Sequence, residues 1–187
     1  MAQEMPLKVV FCSRLHSRKR PDRFLDLASF AAAAGIDAIF EIYGSDQGEL
    51  ANLEDRIIND PDLLRVKYKG ALQPDEVLQL LQRSDLLILP SENEPFPMIV
   101  LEALSVGTPV LVMSSCSISK MLAKDFPLMV TKSDDDRDLI EAFSILLSNL
   151  HRVGSRESII NVAKKLFNIE EVVNKIEREY IRLTSKQ

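Results

Sequence analysis

The sequence predicts an α/β protein with a doubly wound, Rossmann-like parallel sheet of about six strands, helices on both faces and a helical C-terminal tail. Short apolar runs of strand length alternate with longer stretches of helical period along residues 7–150. The run at residues 85–89 is almost continuously apolar, as expected for a central parallel strand that is covered on both faces. A chain of 187 residues, 46% of them hydrophobic, is long enough to bury one domain core.

The predicted strands are apolar runs of strand length that polar residues, glycine or proline bring to an end. The third run ends at Gly70, and Pro90 follows the fourth. Because these runs alternate with helical segments, we expect the strands to lie parallel in a single sheet. They span residues 7–12, 38–43, 65–69, 85–89, 108–113 and 127–131.

The predicted helices lie between these strands and carry start or stop signals. Gly35 and Gly107 end the first and fourth helices. Pro74 occupies a first-turn position of the third, and Asp75 and Glu76 are favourably placed against its dipole. The helices span residues 21–34, 48–59, a stretch that begins near residue 74, residues 97–106 and residues 135–150.

The last part of the chain differs from this alternation and divides the sequence into a Rossmann-like domain at residues 1–150 and a helical tail at residues 151–187. A helix is predicted at residues 155–167. One apolar face marks a terminal helix, because its apolar residues recur three or four apart. These residues are Ile169, Val172, Val173, Ile176 and Tyr180. The two tail helices either pack on this sheet, or the last one covers a further domain.

Composition and charge exclude several classes of protein. The net charge of −5 argues against attraction of the whole surface to nucleic acid or anionic lipid. No apolar run approaches the ~18 residues that span a bilayer, and the first residues do not have the pattern of a signal peptide. Cys12 and Cys116 have neither metal-binding nor disulfide-framework spacing and are expected to be buried, reduced thiols. A cytoplasmic protein without a metal site fits these features.

Two unusual loops are expected to meet at one edge of the sheet. In the common strand order 3-2-1-4-5-6, ligands bind where the order reverses, beyond the carboxyl ends of strands one and four. Residues 13–20 follow strand one and are strongly basic, whereas residues 90–97 follow strand four and combine three prolines with carboxyl and amide side chains. Their expected proximity predicts a site for an anionic ligand.

The basic loop supplies the cations of this predicted site. Five cationic side chains fall within residues 14–23. Such a run more often forms a solvated surface, but its place beside a helix end favours a site. Arg14 and Lys19 are the preferred pair, since arginine suits bidentate contact with phosphate and lysine is a compact point charge. Arg18, Arg20 and Arg23 are expected to face solvent or the following helix, and His16 is interpreted as incidental.

The second loop leads into a helix whose first free amides include those of Met98 and Ile99. A helix N-terminus is a natural anion site, although prolines at 95 and 97 remove two amide donors. Glu94 stands at the start of this helix. Glu102 lies inside it among apolar residues, where it is either exposed or retained for a polar ligand; from the residues alone the exposed interpretation is favoured.

Two further polar segments are expected to be structural. The serines of residues 114–117 lack a nucleophile elbow and are interpreted as a polar loop with a helix cap. The acidic run at residues 134–136 is expected to cap the following helix.

A family resemblance rests on motifs distributed along residues 7–150. Residues 94–110 read EPFPMIVLEALSVGTPV and resemble the E-x7-E signature of the family 4 (group 1) retaining glycosyltransferases, which have the GT-B fold. Arg14 and Lys19 are similar to the Arg-x4-Lys pair after the first strand of that family's C-terminal domain. Segments at 43–50, 66–70 and 84–91 follow in the same order.

The resemblance implies a role for each site residue. Arg14 and Lys19 would hold the donor diphosphate, Glu94 would contact the donor sugar near the reacting carbon, and Glu102 would bind the ribose. The remaining donor contacts would come from the backbone of Gly70 and Ala71 at the base, from Phe96, and from the amides of Met98 and Ile99 at the phosphate. The implied reaction transfers a hexose from a UDP- or GDP-sugar to a hydroxyl acceptor with retention, and it needs neither cofactor nor metal.

The chain departs from this family in two loops and in its extent. Pro95 and Pro97 stand where the family often has glycine, and residues 114–120 replace a Gly-Gly-x-Pro-Glu loop. No counterpart of the acceptor-binding N-terminal domain is present. We therefore expect donor binding without transfer, and any membrane association to depend on that domain. The alternatives are half of a nucleotide-sugar 2-epimerase and a non-catalytic nucleotide-binding or scaffold module.

Overall fold

The computed structural model describes residues 5–166 and contains a five-stranded parallel sheet. The strand order is β3-β2-β1-β4-β5, so the predicted reversal between the first and fourth strands is confirmed. The strands are β1 Leu7–Cys12, β2 Ala38–Tyr43, β3 Val66–Tyr68, β4 Leu86–Leu89 and β5 Val110–Val112. Each of the four neighbouring pairs is parallel.

Helices cover both faces of this sheet. On one face α1 contacts α2 and α6, and on the other α4 contacts α3 and α8. The helices are α1 Pro21–Ala33, α2 Leu50–Asn59, α3 Pro74–Gln82, α4 Met98–Ser105, α5 Ser119–Asp125, α6 Asp136–Ser148, α7 Leu150–Val153 and α8 Arg156–Leu166. The predicted fold class is therefore confirmed.

Two elements differ from the sequence prediction. The predicted strand at residues 127–131 is wrong as a strand: a 3-10 turn occupies Pro127–Met129, and only Val130 forms a single parallel bridge to Val112. Pro127 lacks an amide donor and favours the start of such a turn. Helix α5 was not predicted, because its seven residues give too short a periodic signal. The predicted terminal helix beyond residue 167 lies outside the described residues.

An aromatic cluster forms the core between the sheet and α1. Phe24 of α1 packs against Phe11 and Phe40, with ring centroids 5.8 and 5.4 Å apart, and Phe143 of α6 lies 6.2 Å from Phe40. Tilted and edge-on pairs of this kind add about 0.5–1.5 kcal/mol each beyond the burial of their area. They fix α1, and with it the loop that precedes it, against β1.

Helix α8 is joined to the amino ends of β4 and β5. Arg156 donates to Thr108 Oγ1 at 2.9 Å and to the carbonyl of Ser84 at 2.5 Å. Gly107 lies against Arg156, and a Cβ added to Gly107 would stand 2.5 Å from the Arg156 carbonyl oxygen. Residues 156–166 thus pack on this domain. Within the described residues, no helix combines the length and the apolar character required to cross a membrane.

Candidate functional site

The loops after β1 and β4 meet at the point where the strand order reverses. Strand β1 pairs with both β2 and β4, and its last residue is Cys12, while β4 ends at Leu89. Because both strands are parallel, their carboxyl ends open at the same edge of the sheet. The predicted proximity of residues 13–20 and 90–97 is confirmed.

The basic loop is folded into a defined turn. His16 caps a 3-10 turn at Ser17–Lys19, and its Nδ1 accepts the Arg18 amide at 3.1 Å. Arg20 then adopts the left-handed conformation, with φ 51°, and Pro21 begins α1. A left-handed arginine is uncommon, and here it turns the chain sharply into the helix. His16, interpreted as incidental from the sequence, is a structural cap.

A cleft of about 260 Å³ lies between the two loops. Its walls combine three cationic side chains with two carboxylates, all projecting from the carboxyl edge of the sheet. The lining residues are Arg14, His16, Arg18, Lys19, Gln47, Glu92, Asn93, Glu94 and Pro95. Arg14 and Arg18 are exposed. Arg14 and Lys19, the pair that the sequence favoured as the cations of the site, therefore line the same cleft as Glu94.

Lys19 and Glu94 form an ion pair across this cleft. Lys19 Nζ contacts Glu94 Oε2, and the Glu94 side chain is only 9% exposed. A carboxylate buried to this degree requires a charged or hydrogen-bonding partner. The lysine provides it, and the amide of Ser117 donates to the Glu94 carbonyl at 2.9 Å. Lys19, expected to hold the donor diphosphate, and Glu94, expected to contact the donor sugar, are therefore adjacent.

Arg23 was expected to face solvent or the following helix; it lies in α1 and does not face solvent. Its side chain is 7% exposed and lies 2.8 Å from Glu92 Oε1. The same carboxylate oxygen accepts from Arg20 Nη1 at 3.1 Å. Sequence reasoning missed Arg23 and Glu92 as a pair, because α1 and the loop after β4 are far apart along the chain. The only sequence signal for this pair was that residues 14–23 contain more cations than the two assigned to the predicted site.

A second set of contacts holds the loop after β4 from the other side. Asn93 has φ 50°, and its amide donates to Ser115 Oγ at 2.7 Å. The Ser115 amide and the Ser114 hydroxyl both donate to Asp134 Oδ1, at 3.1 and 2.9 Å. Burial raises the pKa of Asp134, but these hydrogen bonds and the charge of Arg23 outweigh it, so that the pKa lies below its usual value. Residues 114–117, which were predicted to be a polar loop with a helix cap, thus also hold the loop after β4 in place; we call them the serine loop.

The start of α4 offers fewer amides than the sequence indicated. The Met98 amide donates to the Phe96 carbonyl at 3.0 Å, whereas the Ile99 amide has no acceptor within residues 5–166. Pro97, which cannot donate, precedes the helix. Phe96 and Met98 are 68% and 51% exposed, and neither lines the cleft, although they follow the lining residue Pro95 in the chain. Of the two amides expected at this helix start, only that of Ile99 is free among the described residues.

Glu102 is half-buried, between the two alternatives weighed from the sequence. The pKa of the Cys12 thiol is raised to about 11, mainly by burial and to a smaller extent by the negative charge of Glu102. Glu102 therefore lies close enough to the carboxyl end of β1 for its charge to act there. Cys12 is half-buried and Cys116 buried, and both are free.

The segment after β3 approaches the loop after β2. Gly44 donates its amide to the Gly70 carbonyl at 2.9 Å, and Tyr68 donates its hydroxyl to the Gly44 carbonyl at 2.9 Å. Gly70 has φ 82°, and Ala71 is exposed. This places Gly70 and Ala71 at the same carboxyl edge as the cleft, on the side of β2 and β3.

Two larger cavities lie at the opposite, amino end of the sheet. They measure about 450 and 520 Å³ and share Asp37, Leu64 and Arg65. Asp37 and Arg65 form an ion pair with each other, and each cavity is lined by one further charged side chain, Asp62 in the first and Lys67 in the second. Within residues 5–166, no cluster of three or more histidine, cysteine or acidic residues could hold a metal ion.

Comparisons with known proteins identify relatives of this chain in sequence and in fold. The family described as glycosyl transferases group 1 matches residues 2–166. The GDP-mannose-dependent alpha-(1-6)-phosphatidylinositol dimannoside mannosyltransferase of Mycobacterium tuberculosis is 30% identical over 119 residues, which cover 63% of this chain and 30% of that protein. The UDP-Gal:alpha-D-GlcNAc-diphosphoundecaprenol alpha-1,3-galactosyltransferase of Escherichia coli is 28% identical over 176 residues, 90% of this chain and 43% of that protein. The chain thus spans less than half the length of these relatives.

Solved structures show the same fold. Anabaena Alr3699/HepE in complex with UDP superimposes with a TM-score of 0.77 at 19% identity, over 94% of this chain and 48% of that one. The C-terminal domain of a group 1 glycosyl transferase (LpcC) from Francisella tularensis superimposes with a TM-score of 0.71 at 15% identity, over 88% of this chain and 87% of that one.

Proposed function

The chain belongs to the group 1 glycosyl transferases, and from this premise we propose that it is the donor-binding half of a hexosyltransferase. A nucleotide sugar would bind in the cleft between the loops after β1 and β4. The observation that carries the proposal is the convergence of Arg14, Lys19 and Glu94 on one cleft at the carboxyl edge of the sheet. Cations beside a single buried carboxylate suit a ligand that joins a diphosphate to a hydroxyl-rich sugar.

Arg14 and Lys19 would hold the diphosphate. Arginine presents a planar fork that matches phosphate oxygens, and lysine adds a mobile point charge. Arg14 is exposed and ready to receive a ligand, whereas Lys19 is engaged by Glu94. The free amide of Ile99 at the start of α4 would add a further donor.

The same cations would assist transfer. When the bond between the anomeric carbon and the diphosphate breaks, negative charge develops on the leaving oxygen, and fixed cations there stabilise the transition state. The acceptor hydroxyl then forms the new bond to the anomeric carbon, and its proton passes to the released diphosphate or to solvent. We propose that the configuration is retained, as in the family that the motifs resemble.

Glu94 would bind the donor sugar near the reacting carbon. Its carboxylate is held by Lys19 and its backbone carbonyl by the Ser117 amide, so its position is set before a ligand arrives. Glu102 would accept hydrogen bonds from the ribose. Gly70 and Ala71 would meet the base, and Phe96 and Met98 would border the donor site.

Base and sugar can be assigned by measurement. One relative is named as GDP-mannose-dependent and another as using UDP-Gal, so both bases are candidates for this chain. The acceptor would bind largely to the partner domain that completes the cleft, which the resemblance implies. No role for nucleic acid is proposed.

Titration calorimetry with UDP, GDP, UDP-glucose and GDP-mannose tests this function. We expect one base series to bind, and Arg14→Ala to weaken it about 10- to 100-fold, the loss typical of a charge-assisted contact of roughly 1.5–3 kcal/mol. Arg65→Ala is the matched control, because Arg65 pairs with Asp37 at the other end of the sheet. Unaltered affinity in Arg14→Ala would contradict the diphosphate assignment. No binding of any of the four ligands would favour a scaffold module instead.

A further inference from the structure

Arg23 is the buried centre of contacts that join three segments at the carboxyl edge of the sheet. Its Nη2 lies 2.8 Å from Glu92 Oε1 and donates to the Asp134 carbonyl at 3.0 Å. Its Nε lies 2.5 Å from Asp136 Oδ1, off the N–H direction, so this contact is an ion pair rather than a hydrogen bond. A buried guanidinium must keep such partners. Arg23 therefore fixes the separation between α1, the loop after β4 and the start of α6.

A second arm runs from Asp134 back to the same loop. Asp134 Oδ1 accepts from the Ser115 amide, and Ser115 Oγ accepts from the Asn93 amide at 2.7 Å. Asn93 is left-handed, with φ 50°. A residue in this sparsely populated region keeps its conformation only where its surroundings impose it. The Ser115 hydroxyl is the contact that holds it here.

Residues 92–94 are thus held at every position. Glu92 is fixed by Arg20 and Arg23, and Asn93 by Ser115. Glu94, the residue that would contact the sugar, follows these two braced residues in the chain, and its own carbonyl accepts from the Ser117 amide at 2.9 Å. None of the braces at Arg23, Asp134 or Ser115 lines the cleft.

We infer that Arg23 is a positioning residue for the sugar-binding loop at residues 92–94, acting through Glu92 on one side and through Asp134 and Ser115 on the other. The sugar contact of Glu94 rests on the proposed function. The contacts through which Arg23 and Ser115 hold residues 92 and 93 do not depend on it. A ligand that touches only Arg14 and Lys19 needs no such brace. A ligand whose sugar must meet Glu94 does, because a displacement of about 1 Å can abolish a productive contact.

Hydrogen exchange at the Asn93 amide measures the brace directly. Arg23→Gln and Asp134→Asn leave Asn93 and its acceptor Ser115 unchanged, yet we expect the Asn93 amide to exchange about tenfold faster in both, as local opening becomes easier. The β1 amides at the centre of the sheet report global unfolding, and their exchange should accelerate less than that of the Asn93 amide, by no more than the loss of global stability allows. Arg65→Gln, at the other end of the sheet, is the matched control.

Equal acceleration at Asn93 and in β1 would mean that Arg23 only stabilises the fold and would overturn the inference. So would unchanged exchange at Asn93 in both variants. If Arg23→Gln fails to fold, since it leaves Asp136 without its partner and Glu92 with Arg20 alone, Ser115→Ala and Ser115→Thr then decide. We expect the alanine variant to weaken nucleotide-sugar binding and the threonine variant, which keeps the hydroxyl, to restore it.

Calorimetry adds the functional readout. In Ser115→Ala we expect UDP-glucose or GDP-mannose, whichever the unmodified chain binds, to lose about tenfold in affinity, while the matching UDP or GDP loses less than about threefold. Equal losses for nucleotide and nucleotide sugar would contradict a role in placing Glu94. If the unmodified chain binds none of these ligands, the proposed function fails, and the exchange rates still decide whether the brace exists.

Discussion

Lys19 and Glu94 neutralise each other in the cleft where each is expected to contact a donor. Their side chains are 20% and 9% exposed, so that water screens the pair only in part. Breaking a pair of this kind by removing one partner leaves the other charge without compensation. In the proposed site, a diphosphate that approaches Lys19 would have to compete with Glu94, and the ion pair would then influence the affinity for nucleotide as well as for sugar.

Replacement of Glu94 by Gln should consequently strengthen nucleotide binding. Glu94→Gln removes the competing anion and frees Lys19, and we expect the affinity for UDP or GDP to rise about tenfold, equal to roughly 1.4 kcal/mol. The additional affinity that the sugar gives to the nucleotide sugar should fall in the same variant. Calorimetry on the four ligands measures both effects.

The control for this prediction is Glu141→Gln, which breaks an exposed lysine–glutamate pair at 2.7 Å with Lys132. We expect it to leave every affinity unchanged. Weaker binding of the plain nucleotide in Glu94→Gln would show that Glu94 supports the diphosphate instead of competing with it.

At the scale of elements, the loop after β1 is tied to the loop after β2. The Ser13 amide donates to the Tyr43 carbonyl at 3.0 Å, and the Leu15 amide donates to the Ser45 carbonyl at 2.8 Å. Gly44 lies directly against Ser13 at this junction. The position of Arg14, between these anchors, therefore depends on a close backbone approach that only glycine permits.

Gly44→Ala should both destabilise the protein and weaken nucleotide binding. An added Cβ would stand 1.8 Å from the Ser13 carbonyl oxygen, and the backbone φ of 149° already disfavours a side chain. We expect the free energy of unfolding to fall by more than about 2 kcal/mol. Urea denaturation and calorimetry measure the two effects.

Gly35→Ala serves as its control. Gly35 has φ 68°, with no atom within 4 Å of an added Cβ, so that only backbone strain of about 1–2 kcal/mol is expected. Nucleotide affinity should not change in this variant. A similar loss of affinity in both variants would indicate general destabilisation and not a displaced loop.

Asp134, which lies just before α6, makes the free energy of unfolding depend on pH. Its pKa in the folded protein is lowered, so its contribution to stability is complete above the unfolded value of about 4 and is lost as pH falls through the lower folded value. Asp134→Asn removes this contribution. We expect lower stability at pH 7 and a shallower further loss below about pH 4.

Urea unfolding of both proteins between about pH 3 and pH 7 measures this difference. Asp55→Asn is a suitable control, because Asp55 is exposed on α2 and accepts only from its neighbour Asn59. Parallel acid profiles for the unmodified chain and Asp134→Asn would exclude Asp134 as the source.

At the scale of the whole molecule, the described domain would offer one side of the proposed interdomain cleft. The apolar side chains of Phe96 and Met98 are exposed and follow the cleft-lining Pro95 in the chain. The curated relatives extend well beyond the matched region, since this chain covers 30% and 43% of two of them. Exclusion of water from a transfer reaction requires a closed site.

We therefore expect the 187-residue chain to bind donor nucleotide without transferring sugar. Binding should raise the midpoint of thermal unfolding in proportion to ligand concentration, because the ligand binds only the folded state. Mass spectrometry of mixtures with donor and hydroxyl acceptors should detect no glycoside. Turnover by the purified chain would contradict this expectation and place the complete active site within these residues.

The sequence alone determined the parallel sheet, the reversal between β1 and β4, and the convergence of Arg14, Lys19 and Glu94. These follow from signals that are local along the chain: the alternation of apolar runs, the spacing of a motif, and loops at strand ends. It did not predict the burial of Arg23, the serine loop as a brace or the Met98 amide bonded to Phe96. Nor did it distinguish a sixth strand from a bridge at Val130. Only the tertiary structure decided these points, because burial, ion pairs and strand contacts depend on residues that are distant along the chain and close only after folding.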